Sequence, residues 1–258
     1  MHNSQRMPAL FLGHGSPMNA IEENPFIAIL KRLSSTFAKP KAILVISAHW
    51  TTPYCAVNLH EDDLLYDMYG FPRELYTLTY PAKNADFLIP SLQQLIPNLK
   101  VEKRALDHGV WSLLLHLYPD ADIPVMQLSI NTRLSMQEHF EYGKKLNSLR
   151  DEGVLIIGSG NVTHNLREVN FSNKNAPSDV WAKEFDGFVK DAILRREFDK
   201  LIDFEKLQRY AHLAHPTKEH YIPLLYIAGM SQEGEKSSFV YEGFEHANLS
   251  MRCWQTGE

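Results

Sequence analysis

The chain has 258 residues, of which 44% are hydrophobic and 22% charged, a make-up that excludes a disordered chain. A net charge of −5, with no basic cluster denser than Lys144-Lys145 or Arg195-Arg196, lacks the electrostatic footprint of nucleic-acid binding. Apolar runs fall far short of the roughly 20 residues that span a bilayer, no secretory pattern is evident, and Cys55 and Cys253 suit a reducing compartment; the location expected is cytoplasmic, with both thiols buried and inert.

Met7 to Leu12 reads as a buried strand that stops at Gly13-His14-Gly15-Ser16-Pro17. His14 is thereby set at a carboxyl end, the edge at which open α/β sheets bind ligands. Asn24-Pro25 predicts an N-cap followed by proline at the first helical position, with an amphipathic helix to about Ala38 stopped by Pro40. Lys41 to Ser47 is a second apolar strand, and it runs into Ser47-Ala48-His49-Trp50. A strand-helix-strand crossover makes the two strands parallel, so His14 and His49 are expected at neighbouring strand ends on one edge.

Tyr54 to Leu59 predicts a further strand. Glu61 to Pro81 is a long polar and aromatic connection, of a length that marks a lid in compact domains. Asn84 to Ile96 carries a helical pattern despite Pro90, Val101 to Arg104 a strand, and Asp107-His108-Gly109 a turn ahead of a helix from Trp111 to Leu117. Pro124 to Ser129 predicts a strand, Ser135 to Arg150 an amphipathic helix, and Val154 to Ile157 a buried strand leading into Gly158-Ser159-Gly160-Asn161-Val162-Thr163-His164-Asn165. This turn lacks the lysine of a phosphate loop and the third glycine of a dinucleotide fingerprint, so delivery of His164 is its better reading. Helical patterns cover Asn175 to Arg196 and Phe198 to Tyr210. His212, His215, Glu219 and His220 then precede a helix to about Ala228, and Phe239 to Glu242 and Ser250 to Trp254 close the chain as strands. With no repeat or linker, the fold expected is α/β, a single domain over 1–258 with a mostly parallel central sheet flanked by helices.

Twelve histidines exceed what packing requires. Neutral imidazole suits zinc, iron, copper and nickel. His14 and His49 could supply two ligands and His220 or Glu219 a third, which leaves positions open for substrate or water. His164 is then either a fourth ligand or an acid/base group beside the metal, and His108 a second proton-transfer group. His212 and His215 are read as pocket residues, His2, His139 and His246 as surface residues, and His60 and His116 as packing or surface ones.

Gly-His-Gly-Ser-Pro at 13–17, Ser-Ala-His-Trp at 47–50, Asp-His-Gly at 107–109, Gly-Ser-Gly-Asn-Val-Thr-His-Asn at 158–165 and Pro-Thr-Lys-Glu-His-Tyr-Ile-Pro-Leu at 216–224 together give a chain that resembles the class III extradiol ring-cleavage dioxygenases of the LigB superfamily, and within it the 4,5-DOPA extradiol dioxygenases. The resemblance spans nearly the whole chain in one order. It implies a LigB-like fold, metal ligation by His14, His49 and His220 with His164 at or beside the metal, and acid/base roles for His108 and His164. It implies a DOPA-like catechol opened by O2 outside its two hydroxyls to a semialdehyde, with Fe(II) for turnover and Zn(II) bound in the isolated protein. The partners expected are the catechol and O2, with no nucleic acid and no membrane; oligomeric state is not read from the sequence. Trp50, Trp111 and Tyr221 are expected to line the pocket. One departure is the third ligand, since Fe(II) oxygenases commonly use two histidines and a carboxylate, whereas here Glu219 stands just before His220. A zinc-dependent hydrolase and a non-enzymatic metal-binding protein on the same scaffold are the alternatives.

Overall fold

The computed structural model describes residues 6–61 and 63–257; His2, read as a surface residue, lies outside them. Strands β1 (Ala9–Gly13), β2 (Ala42–Thr52), β3 (Ala56–Leu59), β4 (Lys100–Lys103), β5 (Val125–Asn131), β6 (Val154–Gly160) and β7 (Ser237–Tyr241) are followed by a small ribbon of β8 (Phe244–Glu245) and β9 (Leu249–Ser250), and then by β10 (Cys253–Thr256). Eight of them form one sheet in the order β4-β3-β5-β2-β6-β1-β10-β7. Its centre, β5-β2-β6-β1, is parallel, while β10 and β3 join antiparallel to β1 and β5. The helices are α1 (Pro25–Leu33), α2 (Ile89–Leu95), α3 (His108–Leu117), α4 (Met136–Leu146), α5 (Val180–Leu194), three short ones, α6 (Phe198–Ile202), α7 (Phe204–Leu207) and α8 (Ala211–Ala214), and α9 (Ile222–Met230).

Strand side chains alternate between the two faces. Ala42, Leu44, Ile46, Ile156 and Phe11 face one core with α4, α5 and α9, and Ile43, Val45, Ile157, Leu10 and Leu12 face a second core with α1 and α3. Both faces are covered, which is why the central strands read as unbroken apolar runs. The α/β single-domain layout with a mostly parallel sheet is therefore as expected. No described helix is long and apolar enough to cross a membrane, and Cys55 and Cys253 are both buried free thiols.

Several boundaries differ for local reasons. Between β1 and β2 lies β6, so the two strands are not neighbours; a crossover pattern carries the handedness of a connection and not the order of strands. β2 continues through His49 to Thr52, with its register broken between Ile46 and Thr51, so His49 sits within an irregular strand end. His108 is the first residue of α3 and Asp107 its N-cap position, so the helix begins three residues ahead of Trp111. The predicted helix at 84–96 is a 3-10 turn followed by α2, where Pro90 is tolerated in the first turn. α1 gives way to a 3-10 turn at Ser34, and α4, opened by a Ser135/Glu138 capping box, does so at Asn147. α5 starts only at Val180, and the stretch 198–210 breaks at Asp203 into two short helices.

Candidate active site

His14 follows β1 directly, and its backbone N–H donates to the Gly160 carbonyl at 3.0 Å, which extends the β1-β6 pairing by one residue. His49 is held by β2 and His108 by the start of α3. His220 sits two residues before α9, its carbonyl accepting from Asn161 N at 3.0 Å. The glycines of 158–160 explain that placement: a Cβ on Gly160 would lie 2.2 Å from the His220 carbonyl oxygen, and one on Gly158 would lie 2.6 Å from that of Pro223. They let α9 seat its amino end directly on β6. Ser159, on the opposite face of the strand, reaches His14 instead.

Four imidazoles expected to meet do meet. Ring centroids lie 4.9 Å apart for His14 and His49, 5.3 Å for His14 and His220, and 4.9 Å for His49 and His220; each of the three offers a ligand nitrogen within 4.8 Å of the others. His164 stacks on His220 with centroids 3.4 Å apart and planes 4° apart, and His108 packs on His49 at 3.8 Å.

The hydrogen bonds define which nitrogens are free. Ser159 Oγ donates to the Gly109 carbonyl at 2.6 Å, so its remaining capacity is to accept, and His14 Nδ1 donates to it at 2.9 Å. His49 Nδ1 faces Asp67 Oδ2 at 3.3 Å, and His220 Nδ1 lies 3.1 Å from Glu219 Oε1. Each imidazole thus carries its proton on Nδ1 and presents a bare Nε2. Among described residues His220 Nε2 is buried with no partner. His14 and His49 Nε2 face each other at 3.1 Å, an unfavourable meeting of two lone pairs. A divalent ion bound at about 2.0–2.1 Å by each nitrogen would place two of them about 2.9–3.4 Å apart, so the donor set fits a first-row metal. Acceptors behind ligand imidazoles are the usual outer support of such centres.

Glu219 Oε1 faces His220 Nδ1 and also accepts from Thr217 Oγ1 at 2.9 Å. Asp67 and Glu219 together set two carboxylates against the Nδ1 side of this group of imidazoles. Fe(II) oxygenases commonly place a carboxylate directly among the metal ligands; here the carboxylates lie one hydrogen bond behind the imidazoles. Burial and mutual repulsion hold His14 and His220 well below the ordinary histidine range and push His164 down to about 3. Burial alone would raise the Asp67 carboxyl, but hydrogen bonds from His108 and His49 outweigh it and hold it far below the usual range.

Sequence reasoning missed Asp67 and Ser159. Asp67 lies in the long connection at 61–81, with no motif around it, and only the length of that connection marks it. It accepts from both His108 Nδ1, at 2.8 Å, and His108 N, at 3.1 Å, so the connection contributes a residue to the site and is more than a cover. Asp107 is fully buried and accepts from Ser47 Oγ at 2.8 Å, while Ser47 accepts from His49 N at 3.2 Å. Trp111 and Tyr221 are fully buried and Trp50 nearly so, and none of them lines the cavity. That wall is built instead from Met18, Met68, Tyr69, Phe71 and Phe171 around a volume of about 830 Å³. His212 is exposed, and His215 is buried behind the site, donating from Nε2 to the Val162 carbonyl at 2.7 Å and bracing the turn that carries His164. His139 is buried against Tyr226, and His246 is partly buried at the cavity rim; neither is a simple surface residue.

Residues 8–251 match the family described as the catalytic LigB subunit of aromatic ring-opening dioxygenase. The chain is 41% identical over 265 residues to the 4,5-DOPA dioxygenase extradiol of Escherichia coli K12, covering 99% of this chain and 96% of that relative. It is 38% identical to the 4,5-DOPA dioxygenase extradiol of Beta vulgaris, covering 95% of this chain and 94% of the relative. A crystal structure of an uncharacterized Escherichia coli K12 protein superimposes with a TM-score of 0.85 at 39% identity, covering 98% of this chain and all of the other.

Proposed function

The chain belongs to the LigB family of aromatic ring-opening dioxygenases and is an extradiol ring-cleaving enzyme, and we propose that His14, His49 and His220 hold its metal through Nε2 while a DOPA-like catechol is the ring it opens. The observation that carries the ligand assignment is the convergence of three bare Nε2 atoms whose Nδ1 partners are Ser159, Asp67 and Glu219. When bound, Fe(II) supplies the redox chemistry that joins catechol and O2, which zinc lacks; Fe(II) is the working metal in this reading, and Zn(II) the one retained on isolation.

The chain's own residues orient the ring and move protons. His108 gives its Nδ1 proton to the bond with Asp67, which leaves Nε2 to accept a catechol proton. His164 serves as the second proton-transfer group rather than a fourth ligand. Its ring is stacked parallel to that of His220 with centroids 3.4 Å apart, so the ring-nitrogen lone pairs of the two imidazoles lie in separate parallel planes and do not converge as two ligands of one site would. Both groups are held neutral by burial ahead of any other cause, and each can therefore take a proton that the substrate loses. The apolar wall of Met18, Met68 and Phe71 excludes water from the ring. The relatives named for DOPA support a catechol with an amino-acid tail.

Oxygen uptake on addition of DOPA to anaerobically Fe(II)-loaded protein, with a yellow ring-opened product, is the test. Zinc loading is expected to abolish both signals, and turnover that persists with zinc would overturn the metal assignment.

A further inference from the structure

The charged side chains around the cavity each have a hydrogen-bond or ion-pair partner, with one exception. Asp67 is faced by His49 and His108, and Glu219 by His220 and Thr217. Lys174 holds Glu22, lies 3.2 Å from Glu245 and donates to Asn19 Oδ1 at 3.0 Å. Arg167 also lines the cavity. Its only side-chain-related contact is the bond from its backbone N–H to Asn165 Oδ1 at 3.1 Å, and no counter-charge faces its guanidinium among the described residues.

Arg167 is nonetheless held in register with the reacting centre. Asn165 is buried and donates to the Leu213 carbonyl at 2.8 Å, and His164 N donates to the Ala214 carbonyl at 3.0 Å. The turn that carries Arg167 is thus pinned at the residue that precedes it by two. Three residues span at most about 11 Å, so the Arg167 backbone stays within that distance of His164, and the exposed Arg167 forms part of the cavity lining. At about 830 Å³ the cavity is in the range that holds drug-sized ligands rather than one bare ring, and Tyr69, Leu166 and Phe171 give its rim an apolar lining for a tail.

We propose that Arg167 is a specificity-determining residue that anchors a carboxylate on the tail of the substrate, so that the site selects catechols with an anionic side chain over neutral or purely cationic ones. The inference rests on the ring-cleavage reading for the place of the ring, and on the unpaired guanidinium for the charge of the tail. A planar guanidinium matches a carboxylate through two parallel N–H···O bonds, and the two poles of the ligand, catechol oxygens and carboxylate, then meet the histidine cluster and Arg167 respectively.

The test compares 3,4-dihydroxyphenylpropionate, dopamine and 4-methylcatechol. Affinities are measured by calorimetry on zinc-loaded protein, which binds without redox turnover, and KM values on Fe(II)-loaded protein. The wild type is expected to bind 3,4-dihydroxyphenylpropionate about tenfold more tightly than 4-methylcatechol. Arg167→Ala should erase that preference, Arg167→Lys should restore part of it, and Arg167→Glu should shift it toward dopamine. An affinity ratio that Arg167→Ala and Arg167→Glu leave unchanged would overturn the anchor, whatever the turnover. Protein that shows the predicted charge preference in binding yet consumes no O2 with Fe(II) would sustain the anchor and overturn ring cleavage instead.

Discussion

Asp67 joins the two halves of the site: one carboxylate oxygen accepts from His108 Nδ1 at 2.8 Å, and the other faces His49 Nδ1 at 3.3 Å. A single side chain thereby orients both the imidazole proposed to move protons and one of the three proposed to hold the metal. Asp67→Asn keeps the size but puts an amide N–H₂ against one of two N–H donors. Loss of such an outer partner typically costs about 10–100-fold in metal affinity or activity. Turnover should fall by that order with an altered pH profile, read as kcat against pH; a variant with the wild-type profile would contradict the assignment.

The two roles proposed for the histidines separate by metal content. His14→Ala and His49→Ala remove a ligand nitrogen each and should leave the protein with little bound metal after dialysis. His108→Ala leaves all three bare Nε2 atoms in place, so it should retain metal while losing about 10²–10⁴-fold in turnover, the usual contribution of a positioned acid/base group. Metal analysis beside oxygen uptake distinguishes them, and full metal occupancy in His14→Ala would count against the site.

Gly160 tests the seating of α9. A methyl group there would meet the His220 carbonyl oxygen at 2.2 Å, a backbone clash that only movement of α9 relieves. Gly160→Ala should therefore lower both Tm and metal affinity. Gly187→Ala, inside α5 with open space around it, should raise stability by up to about 1 kcal/mol. Equal behaviour of the two variants would show that close approach is not what Gly160 provides.

Much of this arrangement was readable from the chain, for identifiable reasons. The central strands are covered on both faces, so their apolar runs stood out, and β1, β2 and β6 each ended at a histidine or a glycine turn. The register was not readable: nothing local in Lys41 to Ser47 tells that β6 rather than β1 pairs beside it. Asp67 was invisible because a lone aspartate in an irregular connection has no period, and its meaning arises only when Leu64 and Leu65 pair with Leu106 to lay that connection beside α3. The aromatic residues expected in the pocket went the other way. Trp111 packs against Tyr66 of the 61–81 connection and Tyr221 against Phe204 of α7, where their large apolar surfaces serve packing.

His139 predicts how stability responds to acid away from the site. It is 1% exposed, lies 3.1 Å from the Tyr226 hydroxyl, and is pushed down to about 4 by burial. The unfolded chain, with an ordinary histidine near 6.5, binds more protons between those values. Its contribution is therefore fully present above about pH 6.5 and is lost as pH falls toward about 4, by up to roughly 3 kcal/mol. His139→Gln removes the titration, so its urea midpoint should drop less between pH 7 and pH 5 than that of the wild type; an identical drop would contradict a neutral buried imidazole.

The most direct measurement is oxygen uptake by Fe(II)-loaded wild type and His49→Ala on addition of DOPA under otherwise identical conditions. The account predicts one O2 consumed per DOPA opened by the wild type and none above background by the variant. No uptake by the Fe(II)-loaded wild type, or equal uptake by both proteins, would contradict it.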